Sequence, residues 1–116
     1  MNEEFVKKLF YAIAVENNAL YRDLFENTKL EDCDNEYWIK AITLYNSLDD
    51  TNKEVFFDII VQIMIDTISN VLGIVDGSST LEEGEDWEIS MQINGENTEM
   101  ELQDAFMDYL EDLTVD

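Results

Sequence analysis

The first 72 residues of the chain contain neither proline nor glycine; proline is absent throughout, and the four glycines all lie from Gly73 onward. A stretch without a residue that removes an amide donor or favours left-handed backbone can propagate helix until a side-chain signal stops it. Periodicity fills in the helices. Phe5, Val6, Leu9, Phe10, Ile13, Leu20, Tyr21, Leu24 and Phe25 recur at three- and four-residue steps and predict a first helix from about Asn2 to Phe25. Glu26 to Cys33 is then a connection. A second helix follows Asp34 as N-cap, carries Tyr37, Trp38, Ala41, Ile42, Leu44, Tyr45 and Leu48, and ends near Asp49.

Thr51-Asn52-Lys53-Glu54 fits a capping box, which predicts a third helix starting at Asn52. Its apolar residues, from Val55 to Leu72, cover nearly the whole circumference and leave the stripe Asp58, Gln62, Asp66, Ser69/Asn70 for water. Such a helix is expected at the centre, packed on most sides, with Gly73 as its C-cap. Beyond Gly77 the period changes to alternation. Trp87, Ile89, Met91 and Ile93 face one way, Glu88, Ser90 and Gln92 the other, as in a half-buried strand. Ser78 to Glu82 is its preferred mate across Glu83-Gly84-Glu85-Asp86, giving a hairpin at about 78–93; Asn94-Gly95 offers the alternative turn. A second capping box, Thr98 to Glu101, opens a final helix from about Glu99 to Leu113. The expected fold is one mainly α, α+β domain over residues 1–116: four helices, a central apolar one among them, with a small hairpin before the last.

Charge limits what such a domain can do. The chain of 116 residues carries 28 acids, 6 basic residues and no histidine, a formal net charge of −22. Residues 1–53 hold all six cations against 11 acids, a net of −5; residues 54–116 hold 17 acids and no cation, a net of −17. A small domain needs a net charge of only about 2 to 8 in magnitude to stay soluble. More than that repels itself. The same field opposes direct binding to nucleic acid or to an anionic membrane, since both use basic residues to replace counterions. The expected partner is a basic protein.

Several chemistries fall away. Cys33 is the only cysteine, so no internal disulfide forms, and the usual Cys/His zinc sets cannot be assembled. No histidine is present to activate Ser78, Ser79 or Ser90. Asp76, Ser78, Thr80 and Glu82 alternate like the start of a calcium loop, but Leu81 stands in the glycine position and Trp87 in that of the bidentate glutamate. Neither cofactor nor metal is expected, and the chain is read as a non-enzyme. Cys33, between Asp32 and Asp34, is expected to be inert. The amino terminus has acids where a signal peptide has basic residues, and polar residues interrupt the apolar stretch 55–75, so a cytoplasmic protein is expected.

The candidate partner-binding residues are acids in two groups. Glu101, Asp104, Asp108, Glu111 and Asp112 fall opposite the Phe106/Tyr109 stripe of the last helix, with Glu96 and Glu99 just before it. Acids three or four residues apart on a helix stand about 5 to 6 Å apart along the axis, comparable with the phosphate spacing of one DNA strand. Glu82, Glu83, Glu85, Asp86 and Glu88 form the second group, beside Trp87. Together they predict an inhibitor that occupies the phosphate-binding groove of a nucleic-acid-handling protein, in the manner of a nucleic-acid mimic. Size, charge and helix content are similar in kind to phage-encoded inhibitors of restriction or CRISPR effectors and to immunity proteins of nuclease toxins, with no shared motif. The rival reading is an assembly module that binds through an apolar surface near Trp38, Tyr45 or Trp87.

Overall fold

The computed structural model describes residues 1–81 and 87–114. The chain is mainly helical, with a two-stranded antiparallel hairpin before its last helix, an α+β arrangement as the periodicities predict. In order it runs α1 (Asn2–Phe10), a π-helical turn (Tyr11–Glu16), α2 (Asn17–Asn27), a 3-10 turn (Leu30–Asp32), α3 (Glu36–Asn46), α4 (Asp50–Asp76), β1 (Gln92–Ile93), β2 (Glu96–Asn97) and α5 (Leu102–Thr114). It divides into two compact units, Met1–Tyr11 with Ile65–Asp116, and Ala12–Met64.

In the unit Ala12–Met64 the core is aromatic. Phe25, Ile42, Tyr45 and Phe57 are buried, with Leu24, Trp38, Phe56 and Ile60 packed around them. The Phe25 ring lies 5.0 Å from Phe56, edge to face, and 5.3 Å from Tyr45. Arg22 closes one side: its guanidinium sits 4.2 Å above the Phe57 ring and bonds both carboxylate oxygens of Glu54, at 2.9 and 3.2 Å. The π turn accounts for a sequence expectation that fails here. A wider turn inserts one extra residue into the helical register, so Leu20, expected on the apolar face, is 67% exposed.

The first helix starts at Asn2 as predicted, whereas the starts of the later helices α3, α4 and α5 differ from the predicted ones by one to three residues, because stronger caps compete. Asn35, not Asp34, caps α3, its Oδ1 accepting from the amides of Tyr37 and Trp38 at 2.9 and 3.4 Å. Asp49 captures the Asn52 amide at 2.7 Å and starts α4 at Asp50, which leaves Thr51 inside the helix rather than at its cap.

In the other unit α1 packs on α5, burying Val6, Leu102 and Phe106, with Phe10 edge to face against Tyr109 at 5.5 Å. Helix α4 adds Ile68 and Leu72 here. It runs through Gly73 to Asp76 and ends at Gly77, whose φ of +81° is the left-handed terminator. Ser78 N–H donates to Gly73 O at 2.9 Å and Gly77 N–H to Ile74 O at 3.1 Å, the paired bonds of a Schellman motif. Gly73 therefore serves another purpose. A Cβ there would stand 2.8 Å from Gln103 Nε2, so its bareness admits the Gln103 side chain, which donates to Ser69 O at 3.0 Å.

The hairpin sits later than about 78–93. Gln92 pairs with Asn97 and Ile93 with Glu96 around Asn94-Gly95, both at positive φ (53° and 84°) as a type I′ turn requires. The expected turn Glu83 to Asp86, and Glu82 of its mate, lie outside the described residues. The Thr98 capping box does not form either. Glu99 and Met100 are left-handed, with φ of 57° and 56°, so α5 starts only at Leu102. Its cap comes from the end of α4: Asp76 Oδ2 accepts the Gln103 amide at 2.6 Å. Thr98 is instead buried, its carbonyl accepting from Asn2 Nδ2 at 2.9 Å.

Candidate partner-binding surface

Helix α5 is amphipathic with a sharp division. Leu102, Phe106, Tyr109 and Leu110 turn toward the core, while Asp104, Asp108, Glu111 and Asp112 are exposed on the opposite side, with Glu101 exposed just before the first turn. From Glu101 to Asp112 this acidic row extends about 16 Å at helical rise. Glu88, Glu96 and Glu99 are exposed as well. Glu82, Glu83, Glu85 and Asp86 lie outside the described residues. Of the two predicted groups, the structure thus gathers the α5 acids on one face.

The row is left with little to neutralise it locally. Asp104, Asp108 and Asp112 make no ion pair among the described residues. Three of the six basic side chains pair elsewhere in the sequence: Lys8 with Glu4 at 3.1 Å, Lys40 with Glu36 at 3.3 Å, and Arg22 with Glu54 and Glu26. The hydrogen bond from Arg22 holds the Glu54 carboxyl below the usual carboxylate range, and burial pushes the Tyr45 phenol up. Among the described residues no three metal-ligating side chains gather into a potential metal site.

Two further features accompany the acids. Beside Trp38 a cleft of about 220 Å³ is bordered by Asp32, Asp34 and Leu24. Cys33 also lines it and directs its thiol to Lys29 O at 3.6 Å. Trp87, which the strand alternation put in the core, is instead 61% exposed beside Leu81 and Ile89.

The feature that sequence reading missed is on α4. Val55, Ile59, Ile63 and Val71 are all exposed large apolar residues, and only 17% of the most apolar 18-residue stretch of α4 is buried. The water-facing stripe is wider than the polar residues alone. A helical projection carries the signal, because at 100° per residue Val55 and Ile59 fall within 60 to 100° of Asp58, on its own side of the helix. By length and composition α4 also meets the requirement for crossing a bilayer.

Searches of protein-family models, of curated proteins and of solved structures find no match to this chain.

Proposed function

We propose that the protein is a non-enzymatic, cytoplasmic inhibitor that binds a basic, nucleic-acid-handling protein and denies nucleic acid its groove. One observation carries the reading: the acids of α5 stand exposed in a row on one face, in a half of the chain that has no lysine or arginine. Like charges at that spacing on a helix cost roughly 0.2 to 0.5 kcal/mol each. A basic groove relieves that repulsion, and opposite fields speed the encounter. The cleft beside Trp38 supports the same kind of partner, since an indole bordered by carboxylates suits a lysine or arginine side chain.

The test has two steps. Affinity capture from the native host or its phage at low salt, with the bound proteins identified by mass spectrometry, should return a nuclease or another nucleic-acid-binding protein. Its affinity should then fall steeply with added salt, as screening over about 8 to 10 Å requires. It should fall again when Glu101, Asp104, Asp108, Glu111 and Asp112 are replaced by their amides. A biological effect that survives those five substitutions unchanged refutes the proposal.

A further inference from the structure

We infer that the outward face of α4 between Val55 and Ile63 docks an amphipathic helix whose apolar side is bordered by lysine or arginine. Val55, Ile59 and Ile63 follow one another at four-residue steps and are 47, 55 and 58% exposed. Asp58 is exposed at the edge of this ridge, about 60° around the helix from Val55, and all four residues belong to the unit Ala12–Met64. The core side of this segment is already occupied, with Phe57 buried and Phe56 and Ile60 packed on the aromatic cluster. The exposed ridge is therefore surplus to the core. Single exposed apolar residues are ordinary, but three in line mark an interaction surface. Being β-branched, they hold one preferred rotamer in a helix and lose little entropy when covered.

Charge selects the occupant. In a symmetric pairing of two copies, Asp58 of each would meet a stretch that has no cation from Glu54 onward. The cation just before it, Lys53, lies 4.9 Å over the Tyr45 ring. Such an interface opposes like charges without relief. A bilayer would have to take up Asp58 with the ridge, and an anionic leaflet would repel it. A cationic amphipathic helix satisfies both parts, seating its apolar residues on the ridge and reaching Asp58 with a basic side chain. Asp58 makes no ion pair among the described residues. The inference rests on the reading of a basic partner and adds the element by which that partner is held.

The experiment titrates the full chain with a synthetic amphipathic helix of about 18 leucines and lysines, followed by calorimetry. Saturable one-to-one binding is expected. The triple variant Val55→Gln, Ile59→Gln, Ile63→Gln, with its circular dichroism unchanged, should bind roughly tenfold more weakly or worse. Asp58→Asn should weaken binding several-fold, and a leucine/glutamine peptide of the same pattern should bind poorly. Unchanged binding by the triple variant overturns the inference. So does a peptide-free dimer that the triple variant dissociates, or flotation with phosphatidylcholine/phosphatidylglycerol vesicles that the triple variant abolishes. Should the α5 amide variant lose the captured partner while the triple variant retains it, the docking ridge falls and the acidic-surface reading stands. If the triple variant alone loses it, the ridge stands and the α5 reading falls.

Discussion

Asp76 caps a helix from 27 residues away in sequence, where a cap is ordinarily local, and removing it isolates one interaction. The side chain is 5% exposed, with Oδ2 accepting the Gln103 amide at 2.6 Å on the first turn of α5. A hydrogen bond to a charged acceptor contributes about 1.5 to 3 kcal/mol, a figure that already includes the attraction of the carboxylate to the helix N-terminus. Opposing it is the cost of burying the other oxygen, Oδ1, which has no hydrogen-bond partner among the described residues. Asp76→Ala removes both and leaves the Gln103 amide without its acceptor. The expected net loss is about 2 kcal/mol, or about 8 °C in Tm for a chain of this size. Asp76→Asn, which keeps an acceptor oxygen and loses the charge, should fall about halfway between. Urea unfolding followed by far-UV circular dichroism measures the total. Hydrogen exchange at the Gln103 amide locates it, with protection falling by about thirtyfold in the alanine variant. If Asp76→Ala is as stable as the parent, burial of the carboxylate outweighs its hydrogen bond and the reasoning fails. It also fails if stability drops while Gln103 stays protected.

Four other substitutions probe the remaining assignments. Gly77→Ala forces a side chain into left-handed backbone and should cost about 1 to 2 kcal/mol. Gly73→Ala should be nearly neutral by comparison, because its gain in helix propensity of about 1 kcal/mol offsets displacement of Gln103. Thermal melts of the pair separate them, and the reverse order would return the C-cap to Gly73. Phe57→Ala, at a site 1% exposed, should cost about 3 to 5 kcal/mol in chemical denaturation and leave Arg22 without its ring. Arg22→Gln should return the Glu54 carboxyl to its ordinary titration range, as read by NMR. Since that carboxyl is held low in the folded state, the pair's contribution is present above the ordinary carboxylate pKa. It is lost as pH falls through the lowered one, and a pH-stability profile unchanged by Arg22→Gln would contradict it.

Much of the architecture is legible in the order of residues, for a plain physical reason. Helix period, the scarcity of breakers and the Asn94-Gly95 dipeptide are local properties, and backbone geometry responds to them within a few residues. The mainly helical fold with a hairpin before its last helix, the amphipathic division of α5 and the exposed acids of its outer face follow from such patterns, whereas the described hairpin turns at Asn94-Gly95, the alternative to the preferred Glu83 to Asp86. Ends and faces proved harder. Thr98 has the sequence of a cap, yet its burial and the left-handed Glu99 and Met100 hand the capping of α5 to Asp76, 27 residues before the Gln103 amide that it accepts. Gly73 reads as a stop, but the stop is Gly77 and the gap left at Gly73 is filled by Gln103. The ridge Val55, Ile59, Ile63 reads as core until it is known that Phe57 alone is fully buried on that stretch of α4. Sequence by itself determines what each segment prefers and what charge it carries. Which distant group satisfies a helix end, and how much apolar surface the core can absorb, depends on long-range packing, and only the tertiary structure decides it.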